Sequence, residues 1–118
     1  MAPDPLTRVR ALCLALPEAS ERLSHGTPAW FVRGKRSFVM FWDDHHGDGR
    51  LALWCAARPG AQEAMVADDP DRYFRPPYVG HRGWVGMRVD RSPRWGEVAE
   101  VVEEAYRVVA PKSLVERL

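Results

Sequence analysis

Three groups of side chains in this sequence could do chemistry. His25, in "SHGTPAW", and His81, in "GHRGW", are the candidate general bases, because imidazole takes up and returns protons near neutral pH. Neither is accompanied by a GxSxG, HExxH or Walker-type loop, and no Ser-His-Asp or Cys-His order supports a nucleophile. The pattern argues against an enzyme and names no catalytic residue. The loop "DDHHGDG" (43–49) offers Asp43, Asp44, His45, His46 and Asp48 as metal ligands. Two adjacent His residues in a turn do not define a chelating geometry, as two His at i, i+4 on a helix do. The expectation there is a solvated hairpin tip, with no metal and no other cofactor. The third group is basic. Arg33, Lys35 and Arg36 straddle a tight turn at Gly34, and Arg75, His81 and Arg82 lie on or beside a second turn. Two such tips could contact phosphates. Gly34, Gly80 and Gly83 would let backbone N–H groups approach an anion. Tyr73, Tyr78 and Trp84 could stack on unpaired bases.

Composition bounds these options. The chain of 118 residues carries 17 basic and 16 acidic residues, a net +1. The whole-molecule field is therefore weak and gives no general attraction to nucleic acid. Of the basic residues only Lys35 and Lys112 are Lys. Charge is segregated along the chain. Residues 72–94 hold six Arg against Asp90 alone, whereas 60–71 hold Glu63, Asp68, Asp69 and Asp71 with no basic residue. No apolar run is long enough to span a membrane, and "MAPDPLTRVR" lacks a signal-peptide pattern. Two cysteines without a CxxC spacing fit a reducing cytoplasm.

The elements that must position these groups follow from periodicity. Asp4-Pro5 reads as an N-cap and first helical residue. Leu6, Val9, Leu12, Cys13 and Leu16 then recur at helical spacing. Cys13 belongs to that stripe and is expected to be packed rather than reactive, as is Cys55 in its strand. "PAWFVRG" (28–34), "RSFVMFW" (36–42) and "RLALWCA" (50–56) are strand-like, and the last two are apolar on both faces, which places them centrally. Pro59 opens a short helix through Ala64, Met65 and Val66, which stops near Asp69-Pro70. "YFRPPYV" reads as an extended edge segment, since Pro76 and Pro77 donate no ladder hydrogen bonds. In "WVGMRVD" (84–90) Val85, Met87 and Val89 alternate with Trp84, Gly86, Arg88 and Asp90. Ser92-Pro93 is expected to cap a last helix with the stripe Trp95, Val98, Val101, Val102, Ala105, Tyr106 and Val109 and an acidic outer face. The result is a single α+β domain over 1–118, with an antiparallel sheet of five to six strands and helices packed on one face.

"LPEASERLSHGTPAWFVRGKRSFVMF", "ADDPDRYF", "YFRPPYVGHRGWVGMRVD" and the helix around "EVVEEAYRVVAPKSL" together resemble the MmcQ/YjbR family of small bacterial proteins, from the first helix to Leu114. The resemblance implies a frataxin-like (CyaY-like) fold. It carries no established enzymatic activity. Family members are described as candidate DNA-binding proteins with two hairpin wings. Frataxins hold iron on an acidic first helix, whereas this one carries Arg8 and Arg10. The expectation is weak DNA binding without sequence preference, through Arg33, Lys35, Arg36, Arg75, His81 and Arg82, by a monomer with no membrane partner. The alternative is a module for a small anionic ligand, held in an apolar cleft against Arg82 or Lys112, or for another protein. An enzyme using His25 or His81 ranks below both.

Overall fold

Asp4 caps as its place before Pro5 predicts: its side chain accepts from the Thr7 N–H at 2.8 Å, opening helix α1 (Pro5–Leu14). The structure, a computed structural model, describes residues 4–118. A first strand, β1 (Ala19–Ser24), precedes the three expected ones, β2 (Thr27–Val32), β3 (Arg36–Asp43) and β4 (Leu51–Cys55). Helix α2 (Ala61–Asp68), strands β5 (Tyr73–Phe74) and β6 (Val85–Arg88), helix α3 (Trp95–Val109) and a short α4 (Lys112–Val115) complete the chain. The six strands form one sheet in the order β1-β2-β3-β4-β6-β5, with every pairing antiparallel. The α+β expectation holds. The doubly apolar runs 36–42 and 50–56 are the two central strands.

Cross-strand register tells the two faces of the sheet apart. Phe41, Leu53, Met87 and Tyr73 are paired in one row across four strands, so their side chains share a face. The Tyr73 hydroxyl meets the Glu97 carboxylate of α3, which identifies that face as the helical one. Phe38, the extra residue at a bulge opposite Trp30 and Phe31, packs edge-to-face on Tyr106 of α3 with centroids 5.5 Å apart. The neighbouring row, Met40, Trp54, Gly86 and Phe74, looks the other way. Both cysteines are buried and free in the helical layer. Burial pushes the Cys55 thiol up to about 12, and Cys13 higher still, so neither supplies a thiolate at neutral pH.

Two local expectations are corrected and a third is extended. β1, "ASERLS", was not expected as a strand. It is an edge strand with no fully buried side chain and with its one large apolar residue, Leu23, exposed, so its sequence carries no apolar alternation. Pairing along its whole length with β2 holds it, and Glu21 adds a fork to Arg10 at 2.7 and 3.0 Å and a bond from the Trp30 indole at 3.0 Å. Ser92 does not cap α3. It lies at φ +48, and the N-cap position falls to Arg94 without a side-chain bond. The second turn forms at Gly80–Gly83 as expected, but as part of a longer connection over 75–84 between β5 and β6. β5 ends at Phe74 because Pro76 and Pro77 cannot continue the ladder, and the chain returns through a 3-10 turn at Gly80–Arg82.

Candidate functional site

The sheet face that the helices leave free is apolar. Away from its centre, arginines cover two of its rings: Arg22 lies 3.6 Å over Phe31, and Arg50 lies 4.0 Å over Phe74. At the centre no arginine does so. There a concavity of about 460 Å³ is lined by Met40, Trp42 and Trp54 from the strands and by His25, His45, His46, Tyr78 and Val79 from loops. None of these carries a fixed charge.

Three loops converge to form it, and each carries a non-glycine residue in the left-handed region. His25 lies at φ +55, His46 at +48 and Tyr78 at +63. Such a conformation costs about 1–2 kcal/mol per residue, and strain of this kind gathers at functional sites. The 44–49 loop is fixed by its own acids. Asp44 accepts from Gly49 N–H at 2.8 Å and Asp48 from Arg50 N–H at 2.9 Å. These carboxylates build the turn. No group of three His, Cys, Asp or Glu able to hold a metal occurs among the described residues. The opposite wall is held by Gln62 of α2. Its buried amide donates to the carbonyls of Gly80 and Trp84 at 2.8 and 2.5 Å and so anchors the segment that carries Tyr78 and Val79.

His45 corrects the expectation of a solvated hairpin tip. It is buried, folded back against a touching pair of indoles, with ring centroids 4.5 Å from Trp42, 4.8 Å from Trp54 and 5.0 Å between the two indoles. Tyr78 and His46 extend the cluster at 5.9 and 4.2 Å. Burial, reinforced by the neighbouring His46, lowers the His45 pKa from its ordinary value, with Asp48 opposing. A neutral imidazole keeps one donor and one acceptor. The Nε1–H groups of Trp42 and Trp54 are buried without an acceptor, an unusual state for a polar group.

The lowered His45 pKa has a consequence for stability. In the unfolded chain the group titrates near pH 6.5. Between that value and the lower folded pKa the unfolded state binds more protons, so stability falls as pH drops through about 6.5 and levels off below the folded pKa. Urea denaturation at pH 7.5 and 5.5 should show a larger loss for the wild type than for His45→Phe. Equal losses would remove His45 as the cause.

The basic residues are distributed differently from the expectation. Strand directions make the 75–84 segment leave β5 and enter β6 at the same end of the sheet as the 33–35 turn, and from there Tyr78 reaches over the free face to 5.9 Å from His45. Lys35, Arg36, Arg75, His81 and Arg82 are exposed. Arg33 is taken by Glu18, with two contacts of 3.2 Å. Arg82 lies 5.4 Å over the Trp84 ring. The sequence reading missed Trp42, Trp54 and Met40 as site residues, because apolar residues on a central strand look like core from either face. It also placed His25 and His45 in separate chemistries, although the fold brings them to one pocket.

This is an open-faced α+β domain with a histidine–tryptophan pocket on the face opposite its helices. The chain belongs to the YjbR family, whose family model matches residues 14–108. The crystal structure of Deinococcus radiodurans protein DR2400, with a DUF419 family-model domain, is similar at a TM-score of 0.75 and 16% identity. The match covers 95% of this chain and 86% of that one, and at such identity it speaks for the fold alone. No curated protein matches. Among the described residues no helix is long and apolar enough to cross a membrane.

Proposed function

We propose that this YjbR-family domain binds a small ligand through a flat, uncharged moiety placed among His25, His45, Trp42, Trp54 and Tyr78. The observation that carries the reading is the pocket itself: about 460 Å³ of concave, ring-lined space without a charged side chain. That volume falls within the range of small-molecule sites, about 300–1,000 Å³. An ion would lose hydration there without a counter-charge, whereas a planar ring would gain stacking contacts. Two supporting facts are the strained loop residues at the rim and the two indole N–H groups without acceptors. Those N–H groups are screened from water as well, so a ligand's acceptor reaches them only where a neighbouring ring moves aside.

Thermal unfolding with a panel of small planar heterocycles tests this. At concentrations well above Kd a binder should raise Tm by several degrees through mass action. Tyr78→Ala, at a side chain that is 69% exposed, should leave the fold intact and weaken binding about tenfold through lost stacking. A panel with no effect, or a shift unchanged by Tyr78→Ala, would sink the reading.

A second reading, weak nucleic-acid binding, is favoured by one further observation. Lys35, Arg36, Arg75 and Arg82 have no carboxylate partner among the described residues and stand at one end of the sheet. No recognition helix accompanies them, so contacts would go to phosphate. The Lys35→Ala/Arg82→Ala variant should bind duplex DNA more weakly by a similar factor on every sequence. Its salt slope should flatten by about 0.9 log unit per lost phosphate contact. Absence of binding at low salt would exclude this reading.

A further inference from the structure

We propose that the moiety taken by the pocket is the base of a nucleotide, with its phosphate held outside by Arg75 and Arg82. The assignment rests on the ligand-pocket reading above and adds the chemical class. The pocket lining has no Asp, Glu, Lys or Arg, so the part that enters is uncharged. Its edge is polar, because the lining includes three imidazoles, which donate or accept. A plain hydrocarbon ring would leave all of these unmatched. A ring with carbonyl oxygens or ring nitrogens on its rim meets them.

The anion is assigned to the same segment of chain. Arg75 and Arg82 bracket Tyr78 and Val79 in the chain. Both are exposed, and neither has a carboxylate partner among the described residues. Gly80 lets Arg75 lie across the segment, since a Cβ there would come within 2.7 Å of the Arg75 Cγ. The Gln62 amide holds the backbone on both sides of Arg82, at the Gly80 and Trp84 carbonyls. Guanidinium groups suit a phosphate because they present paired donors to its oxygens. A ligand with a flat, uncharged, polar-edged ring and an attached anion is a nucleotide. A free nucleotide and an unpaired nucleotide in a single strand share this chemistry.

Isothermal titration with the four ribonucleosides, their 5′-monophosphates and short single-stranded DNA tests the assignment. At least one nucleoside should bind, and its monophosphate should bind about tenfold tighter, the gain expected of a charge-assisted contact. Arg75→Gln/Arg82→Gln should abolish that gain and leave nucleoside affinity within about twofold. A single strand that binds more tightly than the monophosphate assigns the site to unpaired nucleotides of a strand, and the reverse order assigns it to free nucleotides. A monophosphate no tighter than its nucleoside overturns the proposal, as does an advantage that survives the double substitution. If planar heterocycles raise Tm while no nucleoside or nucleotide binds, the nucleotide assignment fails and the pocket reading stands. If nothing binds, both fail.

Discussion

Trp54→Ala is expected to destabilise the fold by about 3–5 kcal/mol, the usual cost of removing a large ring from a packed site. The side chain is 2% exposed, contacts Trp42 at a centroid distance of 5.0 Å and supports His45 at 4.8 Å. Its loss leaves the imidazole without one of the two indoles it packs against. Trp54→Phe should cost much less. It keeps an aromatic ring and removes a buried donor that has no partner, which offsets part of the lost packing. Urea denaturation of the two variants checks this. If Trp54→Phe were as damaging as Trp54→Ala, the indole N–H would have to be making a contact that stabilises the fold.

Gly86→Ala should cost about 1–3 kcal/mol, and the reason is specific. Gly86 is the β6 member of the row Met40, Trp54, Gly86 and Phe74. A Cβ on it would come within 2.4 Å of the Phe74 ring, which lies across β6 and is covered in turn by Arg50. In a Phe74→Ala background the added methyl group has room. The penalty of Gly86→Ala should then shrink, giving a coupling of about 0.5–3 kcal/mol in a double-mutant cycle. Additive effects would show that the ring moves away freely. They would also show that the free face of the sheet is less firmly packed than its burial indicates.

The architecture was legible in the sequence because its signals are local or periodic. The Asp4 cap, the stripe of α3 and the doubly apolar runs of β3 and β4 each report a physical environment directly. The edge strand β1 was not legible, since half of it faces solvent and long-range pairing with β2 makes it a strand. The site was harder for a related reason. "RSFVMFW" is apolar on both faces, and the sequence cannot say that one face meets α3 while the other meets a histidine. His45 sits among aspartates and glycines that read as a solvated tip. Only the turn built by Asp44 and Asp48 folds it back onto Trp42 and Trp54. The surplus of His81 and Arg82 drew attention to the segment that carries Tyr78 and Val79, both of which line the pocket, with Arg75 and Arg82 on either side in the chain.

The most direct test of the ligand pocket is the indole region of a ¹H–¹⁵N correlation spectrum, recorded on the full chain with and without the planar heterocycle that raises Tm most. The protein has five tryptophans, and single Trp→Phe variants assign each Nε1–H. Stacking and a new acceptor should shift the Trp42 and Trp54 signals, while Trp30, bonded to Glu21 across the sheet, stays in place. Stationary Trp42 and Trp54 signals at a saturating concentration of that heterocycle, or equal small shifts in all five, would contradict the account.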